Sequence, residues 1–218
     1  MKRLVYSLPI IFIVMACSST TSVHQSIWHN NTPKAPASIF HKTNGITLAV
    51  SNDSEFLYID IESTNPQAID KIRQLGLSVW LSKGANPNKT YGIHHPLPFK
   101  NTEDNVALEG FNQAPMVALP INDIDPLKIK SSLLPELMIY SLKVPLTEID
   151  LRNAEIFTIS VASFSLGKQE YLSGLTTAEE IERRLNEYKA NPNYEEHQPE
   201  LVPFYNTFQL AKKPNKNP

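Results

Sequence analysis

Hydrophobic and polar positions alternate with a period of two along much of this chain, and successive side chains of a β-strand point to opposite faces of its sheet. The pattern is clearest in residues 45–81, where Ile46, Leu48 and Val50 recur on one side of a first run and Leu57, Ile59 and Ile61 on one side of a second. Leu75, Leu77, Val79 and Leu81 do the same in a third run. Between the first two runs, Ser51, Asn52, Asp53 and Ser54 predict a hairpin turn, because Asn and Asp accept left-handed backbone and bond their own main chain. The expectation is three core strands of one antiparallel sheet, with a short helix that starts at Pro66 inserted before the third. Phe56, Tyr58, Asp60, Glu62 and Trp80 fall opposite the aliphatic positions.

The same period returns in residues 106–111, 116–119, 137–146, 155–165 and 201–210, with Pro145 marking a strand edge or end. Many short alternating runs without a repeated βα rhythm predict a mainly β protein, an antiparallel β-sandwich of jelly-roll or immunoglobulin type with roughly eight or more strands. Residues 82–100 hold Gly84, Pro87, Gly92, Pro96 and Pro98 and read as a long loop. One stretch is helical instead: Thr177 to Glu180 forms a capping box, and Ala178, Ile181, Leu185 and Tyr188 line one face. This C-terminal amphipathic helix is expected to cover the Trp80 face, since an exposed apolar stripe is a liability unless a partner hides it.

The first residues change the picture. Lys2 and Arg3 precede an apolar run too short to serve comfortably as a permanent span, the layout of a secretory signal peptide. Val14, Met15 and Ala16 then lead into Cys17, the only cysteine. This resembles the lipobox of bacterial lipoproteins, and the resemblance implies cleavage before Cys17 and lipids on its sulfur and new amino group. Several acyl chains hold a protein on a membrane durably. Ser18 after the cysteine resembles the outer-membrane sorting pattern of enterobacterial lipoproteins. Residues 17–42 are polar, broken by Pro33 and Pro36, and read as the lipidated cysteine and a tether, from which Trp28 is expected to dock on the domain. Residues 43–210 would be a single sandwich and 211–218 a polar tail.

Charge and composition exclude more than they propose. A formal charge of −2 gives no basic field for nucleic acid. With one cysteine there is no disulfide staple, and the chain is long enough to bury a sizeable core without one.

Candidate chemistry is sparse. Trp80, Tyr58, Tyr91 and Phe99 could stack on a flat apolar ligand face such as a sugar ring, although a second protein layer over the aromatics explains them as well. His94 and His95 point apart in extended chain and read as surface loop histidines. Asp123 and Asp125 lack the third acid and the glycine of a calcium loop, and Asp60 and Glu62 share a strand face that solvent explains. No metal and no cofactor are expected. There is no GxSxG or glycine-rich phosphate loop, which leaves hydrolase the weakest class.

The order of Trp28, AVSNDSEFLYIDI, GLSVWL, the YGIHHP loop and YSLKVPL is similar to the sandwich domains of family-nine carbohydrate-binding modules and their uncharacterised lipoprotein relatives. Tyr140, Val144, Pro145 and Leu146 fit the family's late aromatic-x-x-x-[Ile/Val]-Pro-Leu strand. The acidic residue such modules carry after the Trp80-type strand is replaced here by Leu81, Ser82, Lys83 and Gly84, so the family's calcium or sugar site does not transfer residue by residue. The resemblance implies a non-catalytic sandwich that binds a glycan or small ligand weakly. Together with Cys17 it suggests a lipid-anchored protein of the bacterial cell envelope, in the outer membrane. The alternative is a structural or assembly lipoprotein docking an envelope protein.

Overall fold

Alternation becomes strand wherever one side of a run can be buried. The computed structural model describes residues 22–29, 38–97, 105–111, 117–151, 156–164 and 201–214. Within them the chain forms β1 (Val23–Gln25), β2 (Ile27–Trp28), β3 (Ser38–His41), β4 (Ile46–Asn52), β5 (Phe56–Ser63), α1 (Pro66–Leu75), β6 (Leu77–Lys83), β7 (Tyr91–His94) and β8 (Asn105–Glu109). There follow β9 (Val117–Pro120), β10 (Lys128–Leu133), β11 (Met138–Pro145), β12 (Ile156–Ser163) and β13 (Phe204–Gln209). One sheet runs β1-β13-β12-β6-β7-β8-β9, and the other β10-β11-β5-β4-β2, with β3 also on β4. They face each other as a sandwich whose interior takes Leu48, Leu57 and Tyr140 from one sheet and Val79, Phe157 and Phe208 from the other. Full burial of such side chains contributes about 1.5–3 kcal/mol each.

The β4–β5 hairpin forms as expected, but its turn works differently. Ser51 and Asn52 remain in the strand, and Asp53 closes the turn by accepting the amide N–H groups of Glu55 and Phe56, both at 2.7 Å, on one carboxylate oxygen. No left-handed residue is needed there; Asp150 is the only non-glycine with positive φ among the described residues.

The third run does not join the same sheet. Both edges of β5 are taken, by β4 and β11, so β6 pairs instead with β12 and β7 in the opposite sheet. Helix α1 makes the crossing. Asn65 caps it by accepting the Gln67 N–H at 3.0 Å, Pro66 supplies the first turn, and Ala68, Ile69 and Ile72 are buried. Gly76 ends the helix at φ 75°, donating its N–H to the Ile72 carbonyl at 2.8 Å.

Two further expectations are corrected. The polar stretch before residue 42 is not only tether: β1 pairs in parallel with β13, β2 in parallel with β4, and β3 antiparallel with β4. The long loop of residues 82–100 contains β7, paired to β6 and β8. Cys17, Phe99 and the expected C-terminal helix lie outside the described residues.

The parallel additions are held by a buried polar clasp. Asn52 Oδ1 accepts the Ser26 hydroxyl and the Ala211 N–H (2.9 Å), while its amide nitrogen donates to the carbonyls of Asp53 and Ala211, both at 3.1 Å. Ser26 Oγ also accepts the Ala211 N–H at 2.8 Å. Asn52→Ala strands several of these buried groups, and each orphaned group costs about 1–3 kcal/mol. The expected loss is about 2–4 kcal/mol, read as a lower urea midpoint at unchanged slope. A shift worth under about 0.5 kcal/mol would show that the clasp does not hold the junction.

Candidate functional site

Because Leu57, Ile59 and Ile61 point inward, β5 turns Phe56, Tyr58, Asp60 and Glu62 to the outer face of its sheet. Register sets Pro145, Lys143, Ser141 and Ile139 of β11 directly opposite them. Tyr58 donates its hydroxyl to Asp53 Oδ2 at 2.7 Å, and its ring stacks on His29 with centroids 4.2 Å apart and planes 21° apart. Phe56 lies 6.4 Å from Tyr58, tilted by 52°. The Lys143 ammonium sits 3.8 Å from the Phe56 ring centroid and 6.0 Å from that of Tyr58. Beside them, Ser141 Oγ donates to Asp60 Oδ1 at 2.6 Å. Two half-buried rings, a cation and hydrogen-bonding groups thus share one sheet face on strands that fix their positions.

Electrostatics holds Asp53 ionised and Tyr58 neutral near neutral pH. Burial works to raise the Asp53 carboxyl, but the bonds it accepts from Glu55, Tyr58 and Phe56, with His29 nearby, outweigh it and hold the group below the usual carboxylate range. Burial first, and then the Asp53 carboxylate, push the Tyr58 hydroxyl up to about 12, so it remains a neutral donor near neutral pH.

Trp80 belongs elsewhere. It alternates with Val79 and Leu81 of the opposite sheet, so Trp80 and Tyr58 occupy opposite outer faces of the sandwich. Trp80 is also only 8% exposed, so its ring is a packed side chain and not an open stacking surface. Its edge meets His94 at 5.1 Å and 74°, with Lys89 Nζ 5.2 Å from the ring. Gly92 stands across from it on β7, where a Cβ would come within 2.7 Å of His94 Nε2 and 2.9 Å of Trp80 Cζ3. Only glycine lets the strand pass so close. Tyr91 is half-buried on the core side, edge-on to Phe111 at 5.5 Å. Of the four aromatics singled out in the sequence, the three described ones, Trp80, Tyr58 and Tyr91, therefore do not converge.

The two histidines diverge, as extended chain requires, but both are 2% exposed and neither is a surface residue. The segment expected to be loop contains β7, which ends at His94, and the pairing of that strand with β6 and β8 buries both histidines. His95 bonds Ser131 Oγ at 3.0 Å and the Asn105 carbonyl at 3.1 Å, tying one sheet to the other. His94 Nδ1 bonds Ser78 Oγ at 2.8 Å, whereas Glu109 Oε2 is 3.7 Å from Nε2, beyond hydrogen-bond reach. Ser78, His94 and Glu109 are the residue types of a hydrolase triad, yet Ser78 is 3% exposed and its hydroxyl is closed to substrate. On the acidic turn, Asp125 pairs with Lys128 at 3.0 Å.

Sequence reasoning placed Phe56 beside Tyr58 on the outward side of the strand but missed Lys143, His29 and Asp53 as members of the cluster. Phe56 was legible from its two-residue spacing to Tyr58. Lys143 and His29 arrive through strand pairing, which no local pattern records.

Burial holds the His94 pKa below its ordinary 6.5, with the Glu109 carboxylate acting against it. His41 is lowered too, by burial, with the Asn206 bond opposing. The folded state thus refuses a proton that the unfolded chain accepts. Their stabilisation is complete above 6.5 and is lost as the pH falls below that value toward the folded pKa. The thermal midpoint should fall across this window, and His94→Gln should flatten the slope. A slope unchanged in H94Q would assign the effect to His41 alone.

No protein-family model matches the chain, and no curated protein matches it. Among solved structures, it is similar to a family 9 carbohydrate-binding module from Caldicellulosiruptor kristjanssonii in complex with glucose, at 15% identity and a TM-score of 0.30 over 57% of this chain and 61% of that one. It is also similar to a family 9 module from the same organism in complex with cellotriose, at 14% identity and a TM-score of 0.29 over 54% and 56% of the two chains. The likeness spans about three fifths of the module's length.

Proposed function

We propose that this protein is a lipid-anchored component of the bacterial cell envelope, held in the outer membrane through Cys17, whose sandwich is a non-catalytic module that binds a glycan on the outer face of the six-stranded sheet. One observation carries the binding reading: Phe56 and Tyr58 stand half-buried on adjacent outward positions of β5, with Lys143, Asp60 and Ser141 within the same two-strand strip. Rings present an apolar wall to the C–H face of a sugar, and the polar groups reach its hydroxyls. Two rings contribute about 3–6 kcal/mol before association costs, which corresponds to weak binding, since about 4 kcal/mol is millimolar and about 8 is micromolar.

A second reading has an observation of its own. Phe40, 62% exposed, and Ile139, 38% exposed, lie on the next row of the same face, flanking Thr47 and Glu62, and would suit a docked envelope protein.

The anchor is tested by metabolic labelling. Cys17→Ser should abolish palmitate incorporation and release the protein from membranes; persistent fractionation without any acyl label in the wild type would overturn it. The binding face is tested by calorimetric titration of the full chain, in a detergent that carries no sugar, with cellotriose and galactotriose. Tyr58→Ala and Phe56→Ala should each weaken binding by about five- to tenfold, and Trp80→Phe should leave it within about twofold. No heat with either of these, nor with an anionic counterpart such as trigalacturonate, would overturn the glycan reading in favour of the docked protein.

A further inference from the structure

We infer that the saccharide bound at this face is an anionic one, bearing a carboxylate. The inference rests on the binding reading above and concerns what the face selects. Lys143 is the central observation. Its ammonium lies over the Phe56 ring, where a stacked sugar would sit, and takes part in no ion pair among the described residues.

Asp53 and Asp60 are already engaged, and Glu55, exposed on the turn and near enough to act on Tyr58, forms no ion pair with Lys143 among the described residues. Asp60 accepts the Ser141 hydroxyl, and both Asp53 oxygens are taken, one by the amides of Glu55 and Phe56 and the other by Tyr58. Glu62 is four positions from Tyr58 along the strand, about 13 Å away.

The neighbouring strand adds charge of the same sign. Ile129 of β10 is buried, so Lys128 and Lys130 face outward beside Lys143. Lys128 stands directly across from Lys143, and Lys130 across from Ser141. Like charges directly opposite on neighbouring strands are destabilising. Asp125 relieves Lys128 at 3.0 Å, but Lys130, like Lys143, has no carboxylate partner among the described residues.

The result is an aromatic wall with a cation against it that has no ion-pair partner among the described residues and a second such cation close by, on a protein whose net charge is −2. A neutral sugar stacking on Phe56 must displace or bury that ammonium without compensation. A ring bearing a carboxylate meets it with a charge-assisted hydrogen bond, stronger than a neutral one.

The test compares two trisaccharides that differ in the carboxylate at C6, trigalacturonate and galactotriose, titrated into the full chain in a detergent that carries no sugar. Trigalacturonate should bind at least about fivefold tighter at about 0.02 M salt, with the ratio shrinking toward one at about 0.5 M as screening shortens the reach of the lysines. Lys143→Met should remove most of the preference and Lys130→Met part of it, while Lys71→Met on α1 should leave the ratio unchanged. If galactotriose binds as tightly as trigalacturonate, or if both K143M and K130M fold and keep the full preference, the inference is overturned while the binding face stands. If neither saccharide binds, the binding face itself is overturned and the inference with it.

Discussion

Strand β5 is the constraint on which the rest depends. It is paired along its length on both sides, with β4 and with β11, and its inward positions carry Leu57, Ile59 and Ile61. A slip of one residue on either side would exchange the core face for the solvent face, so burial of three large aliphatic side chains locks the register. Phe56, Tyr58, Asp60 and Glu62 are outside because those three are inside. The same lock brings Lys143 opposite Tyr58 and Ser141 opposite Asp60. The chemistry of the outer face is thus a by-product of core packing, fixed as firmly as the core itself.

Sheet assignment was less legible than strand identity. The period-two runs of β4, β5, β6, β11, β12 and β13 were readable because each has one buried side. The partition between sheets was not, since nothing in the run that contains Val79 and Trp80 says that both edges of β5 are already taken. Short strands without aliphatic alternation, such as β1 and β7, could not be separated from loop at all. Their stability comes from partners distant in sequence: Val23 pairs with Thr207, and Gly92 with Trp80 and Glu109. The candidate site was half visible for the same reason. Tyr58 stood out as an aromatic on a polar side, while the pairings that gather Lys143 and His29 around it are non-local. Trp80 looked equivalent to Tyr58 by pattern, and only the packing of His94 and Gly92 against it shows that the two rings have different surroundings.

Polar groups inside the sandwich fall into two kinds. Those of Ser26, Asn52 and His95 are satisfied and tie segments together across large sequence distances. Among the described residues, the Tyr140 hydroxyl and His94 Nε2 are buried without a hydrogen-bond partner. An unpaired buried polar atom costs about 1–3 kcal/mol, so these positions are kept for the shape of their rings: Tyr140 stacks on His95 at 6.0 Å, and His94 fits between Trp80 and Phe164.

The pairing of β1 with β13 sets an order of events. Residues 23–25 find their hydrogen-bond partners at residues 207–209, close to the other end of the described chain. During synthesis or export the N-terminal strand therefore emerges first and settles last, and the seven-stranded sheet keeps an open edge on β12 until β13 arrives. Contacts this distant in sequence make for slow closure. An unfinished chain of this protein carries on β12 an unpaired sheet edge, open to other strands until β13 covers it.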